Sequence, residues 1–278
     1  MISFDKNDIF IVTGASSGIG KSTAILLNEL GATVVAIARN KDRLNKMKAK
    51  CKYPENMHLE IKDLTENIEE LPNFVTKLKE KYGKFQGMAY CAGIAEIVPI
   101  QLVEEEKIKK IFDTNYFAPI FMIKGFADKD NNTGNRASIV VIASASAILS
   151  DKGHTSYSGS KAAIIQSCET LAKELAFDNI RLNCVSPTDV LTKLTSFRNP
   201  DEYLFYPFGA GHVQDVSNMI IYLLSSKSEW ITAQNYIIDC GFITNKEKLK
   251  YPRINTHTHS GGGPSINAFG GIKQNDST

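Results

Sequence analysis

Residues 8–31, DIFIVTGASSGIGKSTAILLNELG, can fold in few ways. The apolar run 9–12 enters Thr13 and a glycine turn, after which Ile19, Ala24, Ile25, Leu27 and Leu30 recur at helical spacing until Gly31. This predicts a strand, a tight turn and a helix, with the first helical N–H groups and the positive helix end facing outward as a receptor for a pyrophosphate. Gly14, Gly18 and Gly20 suit a turn of unusual dihedrals and a close approach of backbone to ligand and of helix to sheet. The spacing GxxxGxG is neither the usual GxGxxG nor a nucleotide-triphosphate loop. By itself the turn is equally compatible with a purely structural role in an α/β protein.

The rest of the chain repeats the alternation. Apolar strands are expected at 32–38, 58–61, 86–90, 137–143, 180–185 and 235–238. Helices are expected at 41–51, 71–82, 104–126 with Pro119 bending it, 162–177 and 216–224. Strand and helix in turn predict a doubly wound α/β fold, with helices on both faces of a sheet of about seven strands. Residues 1–243 form the expected folded domain. Residues 244–278, polar and without periodicity around HTHSGGGPS, are expected to be a disordered tail or surface arm.

Composition narrows the function. Thirty-two basic against 30 acidic residues leave a net charge of +2, which speaks against nucleic acid or a membrane as partner. The chain has no run of eighteen apolar residues and enters its first strand without a leader, so a soluble cytoplasmic protein is expected. The five cysteines stand singly, as reduced core thiols. His257 and His259 could share a metal, but two imidazoles without a third ligand make a weak site, and no metal is expected.

The end of the second strand bears on cofactor choice. A carboxylate there binds a ribose 2'-hydroxyl, whereas this chain has Ala38 and then Arg39, whose guanidinium can hold a 2'-phosphate through two parallel hydrogen bonds. The expectation is NADP(H), with Ser16 or Asn40 assisting; the bland alternative is a solvated arginine opening a helix. Asp63, just past the third strand, either accepts from an adenine amino group or caps the next helix.

Chemistry is marked most clearly at SYSGSK. Tyr157 and Lys161 lie four apart on one helix face, so the ammonium is expected to pull the phenol's pKa down toward the working range. Ser144, at the carboxyl end of the fifth strand, opens onto the same crevice and can donate to a carbonyl oxygen. Tyr-x-x-x-Lys alone is common by chance; its value lies in the combination with the glycine turn, the basic residue after the second strand and Ser144.

With these residues in place, the chain from Lys6 to about Thr244 resembles the classical short-chain dehydrogenase/reductase family. The resemblance is carried by TGASSGIG at 13–20, Asp63, CAG at 91–93, Asn115, Ser144, Tyr157 with Lys161, and SPTDVLT at 186–192. It implies a single Rossmann-type domain with a seven-stranded parallel sheet, residues 1–243 being the dinucleotide-binding and catalytic domain of a dimeric or tetrameric enzyme that exchanges hydride between NAD(P) and a small carbonyl or alcohol. It further implies Tyr157 as acid and base, Lys161 on the nicotinamide ribose, Ser144 on the substrate oxygen and Asn115 holding a water in a proton relay. From the residues alone, Asn115 equally satisfies nearby backbone. Cofactor contacts are implied at Gly14, Ser16, Ser17, Gly18, Ile19, Gly20, Arg39, Asp63, Leu64, Ala92, Gly93, Pro187, Thr188, Val190 and Thr192.

The chain departs from the family at Cys91, where Asn is commoner, at Thr188 after Pro187, and at Cys240 in Asp239-Cys240-Gly241. None removes a catalytic group, yet a non-catalytic NADP(H)-binding or regulatory protein on the same fold remains the alternative. Residues 192–212 are the expected substrate lid, with Phe197, Tyr203, Phe205, Tyr206 and Phe208 as apolar surface and Arg198 and His212 as polar handles.

Overall fold

The computed structural model describes residues 1–149, 151–192 and 206–244. Seven strands, β1 (Ile9–Thr13), β2 (Thr33–Ala38), β3 (Met57–Ile61), β4 (Gly87–Tyr90), β5 (Ala137–Ile142), β6 (Ile180–Pro187) and β7 (Asn235–Ile238), make one sheet. Their order is β3-β2-β1-β4-β5-β6-β7, and every pairing is parallel. Parallel neighbours need long crossovers, and helices supply them: α1 (Gly18–Glu29), α2 (Lys41–Lys48), α3 (Leu71–Tyr82), α4 (Glu105–Phe112), α5 (Ala118–Ala127), α6 (Thr155–Leu175) and α7 (Val213–Leu224). This is the doubly wound α/β architecture expected from the alternation.

The strand residues sort by parity into two cores. Ile11, Met88, Tyr90, Ile139, Val141 and Leu182 point to the side covered by α3, α5 and α6. Phe10, Val12, Val34, Ala36, Val140 and Val185 point to the side covered by α1, α2 and α7. Because successive side chains of a strand alternate faces, β1, β2 and β5 are apolar at nearly every position, and these three and β6 are buried throughout, with Arg181, Asn183 and Ser186 of β6 hydrogen-bonded. Each such Val, Ile or Phe contributes roughly 1.5–3 kcal/mol by leaving water. Among the described residues, no helix is long and apolar enough to cross a membrane.

Three expectations are corrected. The helix expected over 104–126 is interrupted between α4 and α5 by a wide π turn, Asp113–Phe117. Pro119 stands in the first turn of α5, where its missing N–H is tolerated, and the widened turn places Asn115 inward at 1% exposure. α6 starts at Thr155, seven residues before the apolar stations suggested, because its first turns are polar and face a cavity instead of the core. β6 runs through Pro187 instead of stopping at Val185, since Pro187 still registers with Ile238 at the edge strand β7.

Candidate active site

Beyond the carboxyl ends of β1, β4, β5 and β6 lies a cavity of about 990 Å³. It opens where the strand order reverses between β1 and β4, the place at which open α/β sheets receive ligands. The wall is made by two kinds of structure.

One part is backbone. Gly14 and Gly18 have φ of +65° and +55°, conformations that side chains rarely adopt. A Cβ on Gly20 would come within 2.6 Å of the Gly14 carbonyl oxygen, so the first turn of α1 lies directly on the strand end. Ser17 precedes α1 without capping it through its side chain, which leaves the first N–H groups available. The hydroxyl of Thr13 accepts from the backbone N–H groups of Cys91 and Ala92, at 3.0 and 3.1 Å, and ties this turn to the end of β4. That tie uses the backbone of Cys91 and needs no side-chain amide there.

These features fit a dinucleotide: an open helix N-terminus, a cradle closed to side chains, and a guanidinium from Arg43 on the same wall. Arg43 was not anticipated from sequence, though a cation in the first turn after β2 is the signal that points to it. Its N–H is accepted by the side-chain oxygen of Asn40 at 2.8 Å, which makes Asn40 the cap of α2. Arg39 lies off the wall, 65% exposed, with Nη1 3.4 Å from Oδ2 of Asp63. Oδ1 of Asp63 accepts from the backbone and hydroxyl of Thr65, at 3.0 and 2.7 Å. Burial raises the Asp63 carboxyl, but hydrogen bonds from Thr65 and Arg39 outweigh it and hold the group below its usual range. Asp63 thus organises a turn after β3, with the next helical turn starting only at Ile68.

The other part is side chains. Ser144, Tyr157 and Lys161 all line the cavity. Ser144 stands two residues past β5, where its oxygen accepts from the N–H of Ser146 at 3.1 Å. Lys161, 4% exposed, donates to the Ile142 carbonyl at 2.8 Å, and its Nζ stands 5.9 Å from the centre of the Tyr157 ring. Burial lowers the lysine to about 8, against a small opposing pull from Cys184, Cys91 and Cys168. For Tyr157 the direction differs from the sequence expectation. Burial raises the phenol, the Ser144 hydrogen bond offsets part of this, Asp189 adds to it, and the net shift is upward. Desolvation penalises the phenolate, and covering by neighbouring elements is invisible in a spacing of four.

Asn115 braces the wall instead of lining it. Its Oδ1 accepts from the Ile94 N–H at 3.0 Å, and its Nδ2 donates to the Ile94 carbonyl at 2.9 Å and to Ser160 Oγ at 3.0 Å. This is the backbone-satisfying role considered from sequence. Of the remaining expected contacts, Ser17, Ile19, Ala92, Gly93, Pro187, Thr188, Val190 and Thr192 line the cavity. Ser16 and Leu64 do not, and Leu64 is packed in the core. Thr188 turns its backbone N–H toward the Ile238 carbonyl at 3.1 Å, with its hydroxyl 3.5 Å from the same oxygen. Cys240 has φ of +55°, where a glycine would sit without strain.

Of the expected lid, Phe197, Arg198, Tyr203 and Phe205 lie outside the described residues. Tyr206 is buried, stacks on Phe242 at 4.6 Å and donates to Asp189 at 3.2 Å, whereas Phe208 is 81% exposed. His212 is not a handle on the cavity: it is the N-cap of α7, its N–H donating to the Asp215 carboxylate at 2.7 Å. Asp151, His154, Asp189 and Phe242 line the cavity without having been singled out as site residues from sequence.

Comparison with known proteins agrees with this geometry. Residues 8–203 match the short chain dehydrogenase family model. The chain is 30% identical over 247 residues to a 3-oxoacyl-(acyl-carrier-protein) reductase of Thermotoga maritima, covering 86% of this chain and 98% of that one. It is 32% identical over 252 residues to an NAD-dependent glycerol dehydrogenase of Listeria innocua, covering 86% and 97%. Among solved structures, a short-chain type dehydrogenase/reductase from Mycobacterium ulcerans superposes with a TM-score of 0.80 at 28% identity, over 87% of this chain and 92% of that one. A sheet of this order, a glycine cradle and a Ser-Tyr-Lys wall around one cavity therefore have a family: the chain belongs to the short-chain dehydrogenases/reductases.

Proposed function

We propose that the protein is an NADP(H)-dependent oxidoreductase that interconverts a ketone and a secondary alcohol, with Tyr157 as its acid and base. The observation that carries this reading is the meeting of Ser144, Tyr157 and Lys161 in one cavity with the glycine cradle. When bound, the nicotinamide supplies the hydride for reduction or takes it up in oxidation. The Ser144 hydroxyl donates to the substrate oxygen, and Tyr157 gives that oxygen its proton as negative charge develops there. Burial keeps the phenol protonated at neutral pH, ready for this transfer. Lys161, at about 8, is charged at neutral pH and favours the phenolate left behind. In oxidation the proton returns to Tyr157.

The cofactor is held by the turn from Gly14 to Gly20, by Gly93 and by Thr188. Its 2'-phosphate would be held by Arg43 on the cavity wall and by Arg39, which would leave Asp63 to reach it. One relative carries NAD in its name, so the preference for NADP(H) rests on these arginines. The same reading takes residues 1–243 as one catalytic unit with a C-terminal tail, working in the cytoplasm as a homodimer or homotetramer.

The test is Tyr157→Phe, which keeps the ring and removes the exchangeable proton. Over a panel of carbonyl compounds, turnover is expected to fall by about 10²- to 10⁴-fold while NADPH affinity stays within about threefold. Normal turnover by this variant, or NADPH binding by the wild type without oxidation across the panel, overturns the reading.

A further inference from the structure

Several polar side chains on the cavity wall have no part in the proton transfer, and one of them is placed to choose the substrate. His154 stands three residues before Tyr157, immediately ahead of α6, and its carbonyl accepts from the Ser158 N–H at 2.7 Å, so it belongs to the first turn. A spacing of three puts both side chains on one face of the helix. Their ring centres are 6.3 Å apart, and both rings line the cavity.

The protonation pattern of the imidazole follows from its contact. Nδ1 is 3.2 Å from the Lys152 carbonyl oxygen, which can only accept, so Nδ1 carries the hydrogen. In the neutral ring Nε2 then presents a lone pair, and no described group pairs with it. His154 is 8% exposed overall and Nε2 is open to the cavity, so a ligand that covers it without supplying a donor carries a cost. The surroundings say which donor is wanted. Among the described wall residues the cations are Arg43, which comes from α2, and Lys161, which donates to Ile142. Asp151 and Asp189 are acidic, and Ile97 and Leu149 are apolar. A carboxylate or phosphate on the substrate would meet two carboxylates; a hydroxyl meets acceptors.

We infer that His154 is a specificity-determining residue whose Nε2 accepts from a hydroxyl on the carbon next to the reacting carbonyl, so that the site takes small uncharged hydroxy ketones and the matching diols. The inference rests on the proposed carbonyl reduction at Tyr157. With the carbonyl oxygen on Tyr157 and Ser144, a hydroxyl on the next carbon has the imidazole within reach, the two ring centres being 6.3 Å apart. An analogue lacking that hydroxyl covers Nε2 on binding and leaves it unpaired, which is how polar sites reject it.

The experiment compares 3-hydroxy-2-butanone with 2-butanone. It reads kcat/KM for each with NADPH, and the dissociation constant of the hydroxy ketone for the NADP-loaded protein by calorimetry. The wild type is expected to prefer the hydroxy ketone, and His154→Ala to cut that preference by about 10- to 100-fold, chiefly through KM and with a matching loss of binding. His154→Phe, which keeps the ring volume without an acceptor, carries the same expectation if the smaller side chain unfolds the protein. His154→Gln, whose amide oxygen accepts, is expected to restore most of the preference. A wild type indifferent to the hydroxyl, or a preference unchanged in the Ala and Phe variants, overturns the role of His154 and leaves the reading of Tyr157 standing. Reduction of neither ketone, nor of any other carbonyl tried, overturns both.

Discussion

The glycine turn and the Ser-Tyr-Lys wall face one cavity but are made of different material. The first presents backbone N–H groups on a turn so tight that Gly20 has no room for a Cβ, with Thr13 holding it to the end of β4. The second presents side chains whose protonation is set by burial, with Lys161 brought down to about 8. A backbone site is part of the fold, so damage to it is damage to stability. A side-chain site is carried by the fold at some cost, so damage to it lowers activity and can raise stability.

The sharpest test is Gly20→Ala against Ser144→Ala. The added methyl meets the Gly14 carbonyl at 2.6 Å and the Thr13 carbonyl at 2.8 Å, both backbone atoms that cannot swing aside. Overpacking of this kind is expected to cost about 3 kcal/mol or more, a fall of roughly 10 °C in Tm, together with most of the NADPH affinity. Ser144→Ala is expected to leave Tm within about 2 °C and to lower turnover. Thermal melts and NADPH titrations of both variants check this; a Gly20→Ala protein with wild-type stability breaks the comparison.

Next in size is Lys161→Met, expected to abolish turnover while stabilising the protein. The lysine has a folded pKa of about 8 against 10.5 in the ordinary case. Below pH 8 both folded and unfolded states hold the proton and the full penalty of burying charge applies, on the order of 3 kcal/mol. Between pH 8 and 10.5 the unfolded chain binds more protons than the folded one, so the penalty fades as pH rises. The Met variant escapes it but strands the Ile142 carbonyl, for a net gain of about 1–2 kcal/mol at pH 7 that shrinks toward pH 10. The thiols of Cys51 and Cys91, pushed up to about 11 and about 12, act in the opposite sense. Their stabilisation is present at neutral pH and is lost as pH rises past about 9, alike in both proteins for Cys51, whereas Cys91 in the Met variant no longer feels the lowering pull of the Lys161 ammonium. Denaturant unfolding of both proteins across this pH range checks the difference.

The smallest effect is expected at Arg39. Its pair with Asp63 is exposed and contributes well under 1 kcal/mol, so Arg39→Ala leaves stability unchanged. NADPH affinity is expected to weaken about tenfold and NADH affinity less than twofold, because only the former has the phosphate. Titrations at one ionic strength check this, and NADH binding equal to or tighter than NADPH in the wild type removes the cofactor preference.

What could be read from the chain alone is whatever one stretch carries in full. The run TVVAIA shows a strand covered on both faces because every position is apolar, and the turn at 13–20 shows its helix start because the glycines are local. Tyr157 and Lys161 share a face through helix geometry alone. Tertiary structure decided the properties that depend on neighbours distant in sequence. The first turns of α6 carry no apolar stations because they face a cavity and not the core. In the sequence His212 reads as a polar handle on the lid, whereas in the structure it is the N-cap of α7. Arg43, His154 and Asp189 reach the same wall as Gly14 from elements that only the folded sheet brings together. The Tyr157 phenol shifts upward because burial is a sum over everything packed around a group, and a sequence interval records only distance along the chain.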